Sequence, residues 1–205
     1  MPIRAHHNPD GGRPIPHPAG DIAIPCGKCS ECLTLRAMDW SLRCQHELSF
    51  WEEACFLTLT YDEDHLPALD DSNRFTEAFS LFKDRLAKRL DRKLKHLCAH
   101  EFGGKTFRPH HHAILFGFDP DDQRYLRTSK CGHKLFTSEF VSDVWHNQGF
   151  VSIGTANAKT AFYVANYALK GKKHEFINPD GSSTEVNDYM TCSPGIGKRF
   201  FEKRS

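Results

Sequence analysis

Two runs of β-forming residues, separated by a short turn-rich linker, set the strongest limit on the fold of this chain. The runs are Leu94–Phe102 and His110–Phe118, and the linker contains Gly103, Gly104 and Pro109. A glycine pair favours a turn, and proline is accepted at the start of a strand. We therefore predict two strands joined by a short hairpin connection.

The remaining periodic segments place helices and further strands around this hairpin. Predicted helices cover residues 30–51, 76–93, 138–146 and 158–169, and predicted strands cover residues 55–61 and 149–154. Apolar residues recur at helical spacing in the helices, whereas residues 55–61 alternate with Thr58 and Thr60 on one face. The order helix, β, α, β, β, α, β, α predicts an α+β fold, a mostly antiparallel central sheet with flanking helices.

The two ends of the chain differ in composition from its middle. We divide the chain into residues 1–54 (an N-terminal arm, a Cys-rich knot and a helix), residues 55–170 (the core) and residues 171–205 (a polar C-terminal tail). The first 25 or so residues are rich in Pro, Gly and His without apolar periodicity, which indicates an extended arm. We expect the three parts to form one globular unit.

Charge and hydropathy exclude few functions. Lysine and arginine number 27 against 26 acidic residues, a formal net charge of +1, which gives no whole-chain sign of a nucleic-acid or membrane partner. No apolar run approaches a membrane span, and the N-terminus lacks the apolar core of a signal peptide. We therefore expect an intracellular protein whose cysteines are mostly reduced.

The segment Arg108–Phe116 carries the sharpest chemical motif. In a strand, His110 and His112 project to one face and His111 to the other. Two imidazoles on a rigid strand can share a divalent ion, with Glu101 of the preceding strand as a third ligand. The alternatives are a surface histidine run or histidines satisfied within a polar core.

A second motif lies on the last predicted helix. Tyr163 and Tyr167 are four residues apart and share a helix face, and Lys170 lies near that face. Two phenols and an ammonium group beside a metal suit nucleophilic attack on phosphorus. The alternative is that both tyrosines are packing residues.

A cysteine array lies near the N-terminus. Cys26, Cys29 and Cys32 are spaced to surround one ion, with Cys44 or His46 as a fourth ligand. Structural zinc is one interpretation and an iron–sulfur cluster is another. The alternative is that these are buried or simply reduced thiols.

Six segments, taken together and in order, resemble a known family. They are Pro25–Cys32, Trp40–Glu47, Phe56–Tyr61, His100–Gly103, Arg108–Gly117 and Tyr163–Lys170. The combination resembles the HUH endonucleases that start rolling-circle replication, and most closely the initiator proteins of microviruses, the gokushovirus-like single-stranded DNA phages. The metal motif of that family is His, hydrophobe, His, so His111 is a departure at the middle position.

The resemblance implies a sheet of the RRM-like palm type and a set of roles. His110, His112 and Glu101 would hold Mg²⁺ or Mn²⁺. Tyr163 or Tyr167 would attack the scissile phosphate, leaving a 5′-phosphotyrosine and a free 3′-hydroxyl, and the reverse reaction would rejoin strands after rolling-circle synthesis.

The resemblance also implies partners. These are single-stranded DNA at a replication origin, a host helicase and a host polymerase, all in the host cytoplasm, with no membrane partner. The chain contains no Gly-x-x-x-x-Gly-Lys-Ser/Thr loop, so another protein would supply the unwinding motor.

Local clusters of basic residues are candidates for contact with DNA despite the neutral total. Arg108, Lys172 and Lys173 are the predicted DNA-binding residues, with Lys170 positioned to bind phosphate or stabilise the phenolate. We interpret the basic run from Lys83 to Lys95 as a solvated helix face and not as a DNA-binding surface.

Two other functions remain open on the sequence. One is a transposase or plasmid initiator of the same superfamily. The other is a zinc-dependent nucleic-acid-binding module without catalysis, for which the spacing of Tyr163 and Tyr167 would be accidental.

Overall fold

A computed structural model describes residues 3–6, 15–20, 22–67, 72–103, 108–169, 173–177 and 181–202. In chain order its elements are β1 (Ile3–His6), β2 (Ile15–Pro16), β3 (Ile22–Ile24), α1 (Ser30–Leu48), β4 (Ala54–Thr60), α2 (Ser72–Leu90), β5 (Lys95–Phe102), β6 (Pro109–Phe116), β7 (Arg124–Thr128), β8 (Lys134–Thr137), α3 (Glu139–Val144), β9 (Val151–Thr155), α4 (Ala158–Leu169), β10 (Lys173–Ile177), β11 (Ser183–Asn187), β12 (Tyr189–Cys192) and α5 (Lys198–Glu202).

A seven-stranded sheet forms the centre of the molecule, in the strand order β12-β5-β6-β4-β9-β8-β7. Neighbouring strands are antiparallel, and β5 and β6 pair along their whole length, from Lys95 opposite Phe116 to Phe102 opposite Pro109. The predicted α+β fold, its antiparallel sheet and the β5–β6 pairing are confirmed.

Both ends of the chain contain more regular structure than the sequence predicts. At the N-terminus, β1 pairs with both β2 and β3, so the described residues of the arm include a small three-stranded sheet. At the C-terminus, β12 pairs with β5, which carries the central sheet beyond residue 170. Strands β7 and β8, which extend its opposite edge, were also missed. Strand β7 is mostly exposed and β8 is short and only half-buried, so neither shows a clear alternation of apolar residues.

Strand alternation gives the central sheet two different faces. Helices α2 and α3 cover one face, where Phe79 and Phe82 pack with Leu57 and Leu115. Helix α4 packs on β5 and β6 at the other face, and α1 packs on α4. We call this second side of the sheet the α4 face. Its apolar end is built from Ile114, Phe116 and Val164, and its polar end carries the candidate site.

A fully buried carboxylate fastens the C-terminal turn to the core. Glu47 accepts hydrogen bonds from Trp51 Nε1 (3.0 Å), Lys95 Nζ (2.8 Å) and the backbone N–H of Gly197 (2.8 Å). Burial raises the pKa of Glu47, but the hydrogen bonds lower it by a larger amount, so the pKa lies below the ordinary value for a glutamate. Glu47 therefore links α1, β5 and the turn before α5.

Among the helices that the structure describes, none is both long enough and apolar enough to cross a membrane.

Candidate active site

Three side chains on the α4 face form a compact group of potential metal ligands. The register places Glu101 of β5 directly opposite His110 of β6, and His112 lies two residues further along β6 on the same face. One ligand atom from each residue lies within 4.8 Å of the other two. His110 Nε2 is 3.7 Å from Glu101 Oε2, and the two imidazole centroids are 4.8 Å apart. The hairpin thus brings together the three residues selected from the sequence.

Hydrogen bonds fix the orientation of both imidazoles. His110 Nδ1 lies 3.0 Å from the carbonyl oxygen of Arg108, and a carbonyl only accepts, so Nδ1 carries the proton and Nε2 keeps its lone pair. Nδ1 of His112 lies 2.9 Å from Thr58 Oγ1 on the neighbouring strand β4. A second hydrogen bond of this kind is the usual way in which a protein orients a metal-binding histidine.

The electrostatics of the group suit a cation. Burial lowers the pKa of His112 to about 3, helped by the neighbouring charge of His110, and burial also lowers the pKa of His110. Both rings are therefore neutral at pH 7 and able to donate a lone pair. Two imidazole nitrogens and one carboxylate oxygen form a donor set that fits a divalent ion with open coordination positions.

Helix α4 brings the two tyrosines to this group. The hydroxyl of Tyr163 lies 3.4 Å from Nε2 of His112, and its ring stands edge-on to that imidazole at 5.1 Å between centroids. The ring of Tyr167 lies 4.5 Å from that of Tyr163, and both side chains are partly exposed. Burial raises the pKa of Tyr163, and the charges of Glu101 and Tyr167 raise it further. Tyr163 is thus a protonated phenol beside the candidate metal group.

The middle histidine of the motif lies on the opposite face of the sheet. His111 is fully buried, with Nε2 2.7 Å from the hydroxyl of Tyr61 and Nδ1 2.9 Å from Nδ1 of His100. His100 Nε2 in turn lies 2.8 Å from Thr191 Oγ1 on β12. These contacts satisfy His111 away from the candidate ligands. Sequence reasoning missed His100 and Tyr61 as its partners; alternation along β5 was the available signal for His100.

The predicted DNA-binding residues have different surroundings. Arg108 precedes the site on β6, where Nη2 donates to the carbonyl oxygen of Tyr61 (2.9 Å) and Nη1 pairs with Glu63. Lys173, at the start of β10, is exposed and pairs with Glu185 across the β10–β11 hairpin (2.6 Å). Lys170 and Lys172 lie outside the described residues.

The basic run on and after α2 is remote from the candidate site. Helix α2 packs on the face that carries His111, whereas Tyr163 and the ligand group lie on the α4 face. Several of its charges are also paired, namely Arg89 with Asp143, Arg92 with Glu53 and Lys95 with Glu47. These contacts favour the simpler interpretation of a solvated helix surface.

The cysteine array forms a second group of potential metal ligands. The Sγ atoms of Cys26, Cys29 and Cys32 lie within 4.8 Å of one another, at the start of α1. The backbone N–H of Cys29 donates to Sγ of Cys26 (3.3 Å). Backbone hydrogen bonds from Lys28 and Cys29 lower the pKa of the Cys26 thiol to about 6, which favours the thiolate form that binds metal.

The prediction of Cys44 as a fourth ligand is wrong. Cys44 lies twelve residues after Cys32 on the same helix, a rise of about 18 Å, and it is fully buried between α1 and the core. Burial raises the pKa of its thiol to about 12. His46, the other candidate, stacks on the ring of Phe200, with 3.7 Å between the ring centroids. Both residues are therefore packing residues.

Comparisons with known proteins identify the family of this chain. The sequence profile of a family described as replication-associated protein ORF2/G2P matches residues 54–172, a span that includes β4 to α4. The chain is similar to replication-associated protein VP4 of Bdellovibrio phage phiMH2K, with 33% identity over 98% of this chain and 66% of the relative. It is also similar to replication-associated protein ORF2 of Spiroplasma virus 4 (32% identity, 87% of this chain, 57% of the relative) and ORF4 of Chlamydia phage 1 (31%, 87% and 46%).

The chain spans about half to two thirds of the length of these relatives, and no solved structure is significantly similar to it. The chain belongs to the replication-associated protein ORF2/G2P family, which confirms its resemblance to replication-associated proteins of microviruses.

Proposed function

We propose that this protein initiates phage DNA replication by nicking a single strand at the origin with a tyrosine nucleophile. One observation carries the proposal: the Tyr163 hydroxyl lies beside the group formed by Glu101, His110 and His112. The relatives are replication-associated proteins of phages, which supports a role in replication.

The chemistry follows from the positions of these residues. Tyr163 Oη forms a bond to the scissile phosphorus while the bond between phosphorus and the 3′-oxygen breaks. The phenol proton passes to water, and the leaving 3′-oxygen takes a proton to become a free 3′-hydroxyl. The product on the protein is a 5′-phosphotyrosine, which retains the energy needed to rejoin the strand.

Glu101, His110 and His112 are the residues that would hold Mg²⁺ or Mn²⁺. When bound there, the cation would polarise the scissile phosphate and offset the high pKa of the phenol. Arg108 and Thr58 act by positioning, since their oxygen atoms orient the two imidazoles. The imidazoles of His110 and His112 are thus held in their orientations before substrate binds.

Tyr167 supplies a second nucleophile. Its ring lies 4.5 Å from that of Tyr163 on the same helix face, and we assign to it the same phosphate position in a second cleavage. A second cleavage while the first adduct persists allows a completed genome to be released and circularised. We assign the first cleavage to Tyr163 because its hydroxyl is adjacent to His112.

The three-cysteine group supports a structural zinc ion in addition to this activity. The three thiols converge at the start of α1, an arrangement that can surround one zinc ion. We place this ion in the N-terminal module, where it would fasten the start of α1. A purely zinc-dependent binding module would leave the contact between Tyr163 and His112 without a role.

The test is incubation of the protein with single-stranded origin DNA and Mn²⁺, followed by denaturing electrophoresis. We expect cleaved DNA and a protein–DNA adduct, both lost with EDTA and in the Tyr163→Phe/Tyr167→Phe variant. Tyr125→Phe is a matched control, because Tyr125 is exposed on β7 at the edge of the sheet. Cleavage that survives the double substitution would show that the nucleophile is another group.

A further inference from the structure

We propose that Phe150 is a stacking platform for an unpaired DNA base beside the scissile phosphate. This inference rests on the proposed nicking of single-stranded DNA and adds a specific base-binding position to it. The supporting observations are the position of Phe150 on the α4 face, the rigid backbone that holds it and its exposure.

The register of the sheet places Phe150 in line with the candidate metal ligands. Glu101 is opposite His110, His110 is opposite Thr60, and Thr60 is hydrogen-bonded to Phe150. These four residues form one row across the sheet. Two strand spacings separate His110 from Phe150, which is about 10 Å between backbones.

The alternation of side chains in β9, extended by one residue through the Thr60–Phe150 hydrogen bond, places the side chain of Phe150 on the α4 face. Val151 and Ile153 are buried in the core beneath α2 and α3, on the far face. Ser152 pairs with Thr58, whose hydroxyl contacts His112 on the α4 face. Phe150 lies two residues before Ser152 and therefore shares its face.

The backbone around Phe150 is tightly held. Thr60 Oγ1 accepts the N–H of Phe150 (2.9 Å) and donates to its carbonyl oxygen (3.0 Å), while Trp145 Nε1 donates to the carbonyl oxygen of Thr60 (2.9 Å). Gly149 lies so close to β4 that an added Cβ would be 2.4 Å from the same carbonyl oxygen. The chain before β9 is thus pressed against the end of β4 and presents Phe150 from a fixed position.

The exposure of Phe150 is unusual for this part of the sheet. Phe150 is 52% exposed, whereas the next residue, Val151, and Trp145, which contacts the carbonyl oxygen of Thr60, are almost fully buried. A single exposed apolar residue is ordinary on a protein surface. An exposed aromatic ring on the α4 face, in the same row of the sheet as Glu101 and His110, is available to stack on an unpaired base, and such stacking tolerates any base.

The experiment measures binding separately from cleavage. Fluorescence anisotropy of labelled single-stranded oligonucleotides that tile the phage genome first identifies the segment bound by the Tyr163→Phe/Tyr167→Phe protein, which cannot form an adduct. Abasic sites are then introduced one at a time along that oligonucleotide. The same titrations are repeated with Phe150→Ala, with Phe150→Trp and with Phe201→Ala, a control at an exposed phenylalanine on α5.

We expect one abasic position to weaken binding in the parent protein. Phe150→Ala should weaken binding of the intact oligonucleotide about 5- to 150-fold, the range for loss of one stacked base. The affinity of this variant should then be the same for the intact oligonucleotide and for the oligonucleotide with that abasic position. Phe150→Trp should retain both the affinity and the response, and Phe201→Ala should match the parent. The loss of coupling at one position is an effect that a general structural defect would not produce.

Two results overturn the inference: unchanged affinity in Phe150→Ala, or an abasic response that persists in that variant. Nicking by the otherwise wild-type protein separates this failure from failure of the proposed function. If Phe150→Ala binds normally and Tyr163-dependent adducts form, only the stacking role is wrong. If coupling to one base is found but no adduct forms with any divalent ion, the nicking chemistry is wrong and the base-binding position stands.

Discussion

The hydrogen bond between Thr58 and His112 should control metal affinity at the candidate site. Thr58→Val removes the hydroxyl that lies 2.9 Å from Nδ1 of His112 and keeps the branched shape of the side chain. One such hydrogen bond contributes about 0.5–1.5 kcal/mol, and its loss also frees the ring to rotate away from Glu101. Removal of a partner of a metal-binding histidine typically weakens affinity 10- to 100-fold, so with one bond lost we expect about a 10-fold effect, or about 1.4 kcal/mol.

The assay is titration with Mn²⁺, with the free ion followed by electron paramagnetic resonance. Thr60→Val is the matched control, because Thr60 lies on the same strand and face but its hydroxyl contacts the backbone of Phe150. We expect the control to bind Mn²⁺ like the wild type, and circular dichroism should show that both variants fold. Equal affinity of Thr58→Val and wild type would refute the idea that this contact orients His112 for a metal.

Three further predictions concern the core and the cysteine group. Glu47→Gln leaves Lys95 without its countercharge, and urea denaturation at neutral pH should show a loss of about 1.5–3 kcal/mol. Because the pKa of Glu47 is lowered in the folded protein, its carboxylate contributes fully to stability above the ordinary carboxyl pKa range, and this contribution should decrease as the pH falls below about 4. A stability difference between wild type and Glu47→Gln that does not narrow at low pH would contradict this. His111→Leu removes a buried imidazole and its hydrogen bonds to Tyr61 and His100, so the free energy of unfolding should fall by about 1–3 kcal/mol. The affinity for Mn²⁺ should not change. Weaker Mn²⁺ binding would place the His111 ring among the metal ligands. Cys26→Ser should abolish zinc binding measured by elemental analysis, whereas Cys44→Ser should retain it, and the reverse pattern would restore Cys44 as a ligand.

The local periodicity of the chain predicts the candidate site well. Alternation along one strand separates His110 and His112 from His111, and a short hairpin connection places Glu101 opposite His110. Helical spacing brings Tyr163 and Tyr167 to one face of α4. Each of these predictions depends on residues close together in the sequence, or on one hairpin, so tertiary packing leaves them unchanged.

Features that depend on distant parts of the chain were not predictable. Glu47 and Gly197 are 150 residues apart in sequence, and nothing near either residue indicates their contact. Cys44 was chosen as a ligand for its residue type, but the straight path of α1 carries it away from the array. Leu35, Met38 and Leu42 recur at helical spacing along α1, as a buried apolar face would, yet about half of each residue's surface is exposed.

The most direct test of the account is to identify the residue that becomes attached to DNA. The adduct formed with Mn²⁺ and origin-derived single-stranded DNA is digested with protease and nuclease, and the modified peptide is sequenced by mass spectrometry. The position of the Tyr163 hydroxyl beside His112 predicts a nucleotide phosphate on Tyr163 as the first product. A nucleotide found only on a residue outside α4, or cleavage that leaves no covalent protein–DNA product, would contradict the central claim.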